Sequence, residues 1–230
     1  MRLTPTRWLG AILPVATLVA TLVAGPAALA QSDTQVVIDG ARKTLADLRH
    51  DKEFGTAAQA LRQARAVLIV PHLLKGGFFI GGEGGEGVLM VQGRDGTWSN
   101  PAFFGIGGAS FGLQAGGEES ELILLVMTQK GLDGLLNDHF KIGAQGGITV
   151  ATLGSGVEGA IAGPTPPDIV VWSSSTGLYG GLTVDGSIVH PNHGDDVRWY
   201  GRPITTRDIL FGRFNYPRAA SLRREIESIG

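Results

Sequence analysis

Glycine recurs in pairs between short apolar runs, and this texture limits the folds open to the chain more than any other feature. Gly76-Gly77, Gly81-Gly82, Gly84-Gly85, Gly107-Gly108, Gly116-Gly117 and Gly146-Gly147 punctuate the stretch from Gly76 to Gly163, and Gly180-Gly181 follows. Between them lie Val88 to Gln92, Phe103 to Leu113, Leu122 to Met127, Ile148 to Leu153, Ile169 to Ser173 and Leu178 to Val189. The 36 glycines among 230 residues exceed the usual share of about 7 %. They are mixed with Phe, Ile, Leu and Val, not with the Ser, Gln and Lys of disordered segments. A strand tolerates repeated glycine where it bends sharply or where another backbone comes close. The expectation is therefore an α+β fold built on a strongly curved, barrel-like, glycine-rich antiparallel β-sheet with flanking amphipathic helices. Asp95-Gly96 between two of the runs suits a hairpin turn. The unequal spacing of the pairs excludes a solenoid of fixed period.

Helical periodicity brackets this region. Ser32 and Gln35 have capping-box spacing, and Val37, Ala41, Leu45 and Leu48 recur at intervals of three to four, which predicts a helix ending near Arg49. A second helix begins near Phe54, with Ala58, Leu61 and Ala64 on one side, and gives way to Ala66-Val67-Leu68-Ile69-Val70, a buried strand stopped by Pro71. Thr128 caps a helix carrying Leu132, Leu135 and Leu136, and further helices are expected near Thr206 to Leu210 and from about Arg218 to Ile229.

The amino-terminal 30 residues read as a secretory signal. Arg2 and Arg7 precede a mostly apolar run from Trp8 to Ala24, Gly25 and Pro26 end it, and Ala28-Leu29-Ala30 supplies small residues for cleavage after Ala30. A permanent anchor is the alternative, but the run sits at the short limit of the ~20 residues that span a bilayer. There is no Arg-Arg pair near the start, and no cysteine to carry a lipid at the cleavage point. The expected product is one domain, residues 31–230, periplasmic or secreted. Its 17 basic and 21 acidic residues leave a net charge of −4, which argues against a general nucleic-acid binder. A core of this size needs no disulfides.

Several motifs carry less than they promise. Gly108-Ala109-Ser110-Phe111-Gly112 has the form of a hydrolase elbow, but Gly116-Gly117 follows too soon for the helix the elbow needs, so Ser110 reads as a strand residue. Gly82 to Gly87 and Gly154 to Gly159 both match G-x-G-x-x-G; the first runs into a strand and the second into Pro164, Pro166 and Pro167, so neither is read as a phosphate cradle. His190, His193, Asp195 and Asp196 form a compact group of possible metal ligands, on a stretch whose Pro191, Asn192 and Gly194 also suit an exposed turn. Arg62, Arg65, His72 and Lys75 fall within fourteen residues, a cluster that could hold anionic lipid headgroups or merely face solvent, with Asp51 and Glu53 nearby to weaken it.

Ordered blocks of sequence then become familiar. Ala66 to Pro71 leads through Lys75-Gly76-Gly77 to Gly81-Gly82-Glu83-Gly84-Gly85-Glu86-Gly87-Val88-Leu89. Asp95-Gly96-Thr97-Trp98-Ser99-Asn100-Pro101, Phe111 to Gly116, Leu124 to Met127 before Gly131-Leu132, Ser175 to Gly181, Tyr200-Gly201 and Ile209-Leu210 follow in order. Over nearly all of residues 31–230 the chain resembles the SYLF domain, a lipid-binding module also called the yeast actin-patch protein domain. The resemblance implies a non-enzymatic module without a cofactor that binds phospholipid: phosphoinositides in eukaryotic members, and in some fungal members actin as well. It places lipid-binding features at Ala41 to Leu48, an amphipathic helix, and at Arg62, Arg65 and Lys75, with Arg42, Lys43 and Arg49 adding to them; His72 joins the expected lipid-binding set from the sequence cluster. An exported chain of this kind looks bacterial, so actin and phosphoinositides are not expected partners.

The leading expectation is thus an exported phospholipid-binding module at the cell envelope. The rival is an envelope scaffold that contacts another protein and touches lipid little. An outer-membrane barrel is less well matched, because its girdles need more aromatic residues than four Trp and three Tyr.

Overall fold

The computed structural model describes residues 26–142, 147–153, 158–161, 163–174, 186–212 and 214–230. It is an α+β fold around a strongly curled half-barrel sheet, six-stranded among the described residues.

Two helices cover the start of the sheet. Helix α1 (Pro26–Leu48) buries Val37, Ile38, Ala41, Leu45 and Leu48, the stripe its periodicity predicts. It begins before Ser32, so the capping-box spacing there does not mark its end. Helix α2 (Phe54–Gln63) buries Ala57, Ala58, Ala60 and Leu61. The chain then turns extended at Ala64 and enters the first strand.

Strand β1 (Ala66–Val91) and strand β2 (Ala102–Val126) form one very long antiparallel hairpin, in register from Ala66↔Val126 to Leu89↔Ala102. The glycine pairs therefore do not separate short strands, as the sequence suggests; they lie within two continuous ones. Nor does Pro71 end a strand. The ladder shifts register between Val70 and Leu73, so the residue without an N–H sits at a bulge, where no ladder bond is required of it. A second shift follows between Gly77 and Phe79. At the hairpin end, Gly96 has φ +79°, and Asp95 Oδ1 accepts from the Thr97 amide and hydroxyl, as expected of an Asp-Gly turn.

The curl brings β1 back onto itself. The Gln92 amide donates to the Arg65 carbonyl at 2.8 Å, while the Arg65 amide donates to Val126, again at 2.8 Å. Where the two stretches of β1 meet, only glycine fits. A Cβ on Gly87 would stand 2.4 Å from the Ile69 carbonyl oxygen, and one on Gly85 would stand 2.5 Å from that of His72. Ala66 to Val70 are consequently buried on both faces, at 1 % exposure or less.

The other edge of β2 is shared. Strand β5 (Ile169–Ser173) pairs with Leu122 to Val126, and β6 (Ile188–Pro191) pairs with Phe104 to Gly107. Strand β3 (Phe140–Lys141) extends β6, and β4 (Val150–Thr152) extends β5 in parallel, the one departure from an antiparallel sheet among the described residues. Helix α3 (Gln129–Leu135) starts at Thr128, whose side chain accepts from the Gly131 amide as the sequence predicts. Asp168 anchors this corner, accepting from the Thr128 hydroxyl and from the Thr149 amide at 2.8 Å.

A single turn, α4 (Glu158–Ile161), takes in the last two residues of the second G-x-G-x-x-G motif, where the sequence leads to no expected helix; residues 154–157 of the motif lie outside the described residues. The first motif lies inside β1, and Ser110 lies inside β2, so neither has the helix its chemistry would need. Ser175 to Gly181 and the segment up to Gly25 that reads as a signal in the sequence also lie outside the described residues.

The segment read as an exposed turn is helical. His190 lies in β6, which ends at Pro191, and α5 (His193–Tyr200) follows, with Asn192 as its N-cap accepting from the Asp195 amide. Asp195 and Asp196 are buried in its first turn, where carboxylates favour the helix dipole. Trp199 and Tyr200 at its other end stack edge-on with Phe103, Phe214 and Tyr216, and the Arg218 guanidinium lies 3.8 Å above the Trp199 ring. Helices α6 (Thr206–Phe211) and α7 (Ala220–Glu227) complete the tail, α6 opening on a Thr205/Asp208 capping box.

Candidate functional site, a cationic cleft at the hairpin end

The sequence cluster of four basic residues is spread out by the fold. Arg62 lies exposed on the last turn of α2. His72 sits at the bulge, with Nδ1 2.5 Å from Glu119, and Lys75 pairs with Glu83 at 3.1 Å. His72 borders a small depression of about 320 Å³ that also contains Lys43, Glu119 and Glu121. Of the four, Arg65 alone reaches the larger cleft described next.

That cleft, about 690 Å³, opens where the curl of β1 brings the hairpin turn beside Arg65. The turn supplies Gln92, Arg94, Asp95 and Trp98; α3 supplies Gln129 and Leu132; α6 supplies Leu210 and Phe211; Phe214 and Arg223 come from the tail. Its volume lies in the range of small-molecule sites. Trp98, Leu132 and Leu210 are buried, whereas Phe211 is 50 % exposed at the rim.

Among the described residues, three guanidiniums line this cleft against one carboxylate. Asp95 is held by Thr97 in the hairpin turn. Among the described residues none of Arg65, Arg94 and Arg223 is ion-paired, although nine other ion pairs form. Arg223 is fixed by neutral acceptors: Nη1 donates to Asn100 Oδ1 at 3.3 Å and Nη2 to Asn215 Oδ1 at 3.1 Å. Asn100 is buried and in turn donates to the Phe214 carbonyl at 2.9 Å.

Sequence reasoning missed Arg94 and Arg223. Arg94 carried a usable signal, since it adjoins the Asp95-Gly96 turn and so had to project at a hairpin end. Arg223 carried none: its contact with Asn100 spans 123 positions.

The possible metal ligands have other occupations. Asp195 accepts from Arg198 at 2.6 Å and from Asn192 Nδ2 at 2.6 Å. Asp196 accepts from the Phe103 amide at 2.8 Å and the Thr206 hydroxyl at 3.0 Å, and His193 Nδ1 lies 3.2 Å from that hydroxyl. Among the described residues no three such side chains stand together as a metal site. Burial pushes the Asp196 carboxyl up to about 6, against the opposing pull of those hydrogen bonds. Glu86 is raised as well, by burial and then by the nearby charge of Asp195.

Fold and cleft together make a curled half-barrel that displays positive charge beside apolar side chains. Residues 107–229, more than half of the chain, match the family described as "Ysc84: Las17-binding protein actin regulator". The chain belongs to this family. Protein YSC84 of Saccharomyces cerevisiae is 29 % identical over 172 residues, covering 73 % of this chain and 36 % of the yeast protein. LAS seventeen-binding protein 3 of the same yeast is also 29 % identical over 172 residues, covering 73 % of this chain and 37 % of its own. The human SH3 domain-containing YSC84-like protein 1 is 27 % identical over 170 residues, 74 % of this chain and 49 % of that protein. The chain thus spans between a third and a half of the length of these relatives. The family description refers to Las17 binding and actin regulation, one relative's name refers to binding, and none of these names refers to a catalysed reaction.

Proposed function

We propose that this protein is an exported, non-enzymatic phospholipid-binding module that docks on an anionic membrane surface of the cell envelope. The observation that carries the reading is the cleft, where Arg65, Arg94 and Arg223 remain without acidic partners beside the half-exposed Phe211. A chain of net charge −2 has acids enough to neutralise them. Leaving them bare keeps a local field for phosphate groups, and an aromatic ring at the rim suits the boundary between headgroup and acyl chain. Export rests on the amino-terminal 30 residues. Cleavage after Ala30 would shorten α1 by its first residues and leave the buried stripe from Val37 to Leu48 intact.

The test is co-sedimentation with phosphatidylglycerol/phosphatidylcholine vesicles. Binding at low ionic strength should fall steeply as salt rises, because screening shortens from about 30 Å at 0.01 M to about 8 Å at 0.15 M. No vesicle binding at low salt sinks the reading. Fractionation with amino-terminal sequencing of the exported form should find Gln31 first.

A second reading, an envelope scaffold for a protein partner, is favoured by the family description, which refers to Las17 binding, and by the name of the yeast LAS seventeen-binding protein 3. One stoichiometric partner in a cross-linked pull-down, together with no vesicle binding, would select it. Neither reading calls for actin or nucleic acid.

A further inference from the structure

Resting on the membrane-docking reading but reaching beyond it, we propose that the cleft is a site for a single phosphate ester, with Arg223 as its oriented binding residue.

The argument starts from how Arg223 is held. A half-buried guanidinium must keep its donors satisfied, and a purely structural arginine meets that need most cheaply with a carboxylate. Here two neutral amide oxygens, from Asn100 and Asn215, do it instead. They fix the plane of the group and leave its charge whole. Five N–H donors less the two committed ones leave three for a ligand, enough for a bidentate pairing. The orientation is built in before any ligand arrives, since Asn100 is buried and tied to the Phe214 carbonyl.

The rest of the cleft selects the anion. Arg65 and Arg94 line the same cavity without acidic partners, so an anion there has three guanidiniums to satisfy. A carboxylate offers two oxygens. A phosphate monoester offers three, and its charge is spread over them. Leu210 and the half-exposed Phe211 continue the cleft as an apolar wall, which suits a phosphate carrying an apolar body better than inorganic phosphate. A lipid headgroup and a free phosphate share the chemistry, and the experiment separates them.

Titration calorimetry on the full chain would use dihexanoyl phosphatidic acid below its micelle concentration, and inorganic phosphate, as the two probes. Three variants serve. Asn215→Asp places a carboxylate on an exposed partner of Arg223, neutralising it without removing it. Arg223→Gln removes the charge. Lys52→Gln makes the same change of net charge on the exposed loop between α1 and α2, away from the cleft-lining residues. Wild-type protein should bind the short-chain lipid, and at least tenfold more tightly than phosphate, because of the apolar wall. Asn215→Asp and Arg223→Gln should each lose roughly tenfold or more, the worth of one charged hydrogen-bonding group, while Lys52→Gln keeps wild-type affinity.

Unchanged affinity in Asn215→Asp and Arg223→Gln overturns the proposal. An equal loss in Lys52→Gln does so too, since the effect would then be general electrostatics. Absence of binding by both probes also overturns it. Equal affinity for both probes, lost in both cleft variants, upholds the phosphate site and removes lipid as its source. Vesicle co-sedimentation of the same variants keeps the two readings apart: vesicle binding that survives in Asn215→Asp after the short-chain lipid is lost supports the cleft site and moves membrane docking elsewhere.

Discussion

Replacing Gly87 with alanine tests the central claim that the half-barrel is curled by one strand folding back on itself. The new Cβ would stand 2.4 Å from the Ile69 carbonyl oxygen and 2.8 Å from a Val70 methyl. Cβ atoms do not settle closer than about 3.0 Å, so backbone must part by about 0.6 Å. The Val70 side chain can turn away, but Ile69 belongs to the stretch registered with Ile123 and cannot shift alone. Overpacking of this kind costs about 1–3 kcal/mol, and a backbone clash lies at the upper end. At about 3 kcal/mol, a chain of this length should lose roughly 6–12 °C in thermal midpoint. Gly84→Ala is the matched control, because the nearest atom to its Cβ is 4.0 Å away. There, lower unfolded-state entropy should leave stability unchanged or raise it by up to about 1 kcal/mol. Thermal melts followed by near-ultraviolet circular dichroism would compare the two. A Gly87→Ala protein within about 1 kcal/mol of wild type, or a Gly84→Ala protein equally weakened, would refute the reasoning.

Two further outcomes follow from buried carboxylates. Asp196, raised to about 6 by burial, binds its proton more tightly folded than unfolded, so its contribution is full below about pH 4 and is lost as pH rises through 6. The loss is about 3 kcal/mol at most, and Asp196→Asn, which can still accept from Phe103, should remove that pH dependence; identical urea midpoints against pH for both proteins would count against it. Asp168 has the opposite sign: burial raises its carboxyl, but hydrogen bonds from Thr128 and Thr149 and the charge of Lys130 outweigh this and hold it below the usual range. Asp168→Ala should therefore cost roughly 1–3 kcal/mol at pH 7. The gap should narrow as pH falls below about 4, and a gap that stays constant in urea titrations would show that the charge plays no part.

Much of the architecture is legible in the residues themselves. The stripe from Val37 to Leu48, the cap at Thr128, the Asp95-Gly96 turn and the glycine texture each report a local requirement of periodicity, donor satisfaction or backbone geometry, and each lies where its chemistry puts it. The same glycines mislead about strand number, because a glycine that bends a strand and one that ends it look alike along the chain. Asn192 to Tyr200 misleads for a related reason: Pro191, Asn192 and Gly194 are turn formers, and helix α5 is held by burial of Trp199 and by Asp196 reaching Phe103 and Thr206.

The candidate site divides along the same line. Proximity in sequence collected Arg62, Arg65, His72 and Lys75, but an extended strand carries residues apart by about 3.3 Å each, and acids from β2 and from β1's own return reach two of them. Tertiary structure then built a different group from Arg65, Arg94 and Arg223, joined across the chain by the closing bond from Gln92 to Arg65 and by Asn100. By itself the sequence determined that the sheet must curl, because only glycine admits two backbones so close. Which charges that curl would gather and leave unpaired was decided only by the fold, since it depends on how far the strand turns before it meets its own beginning.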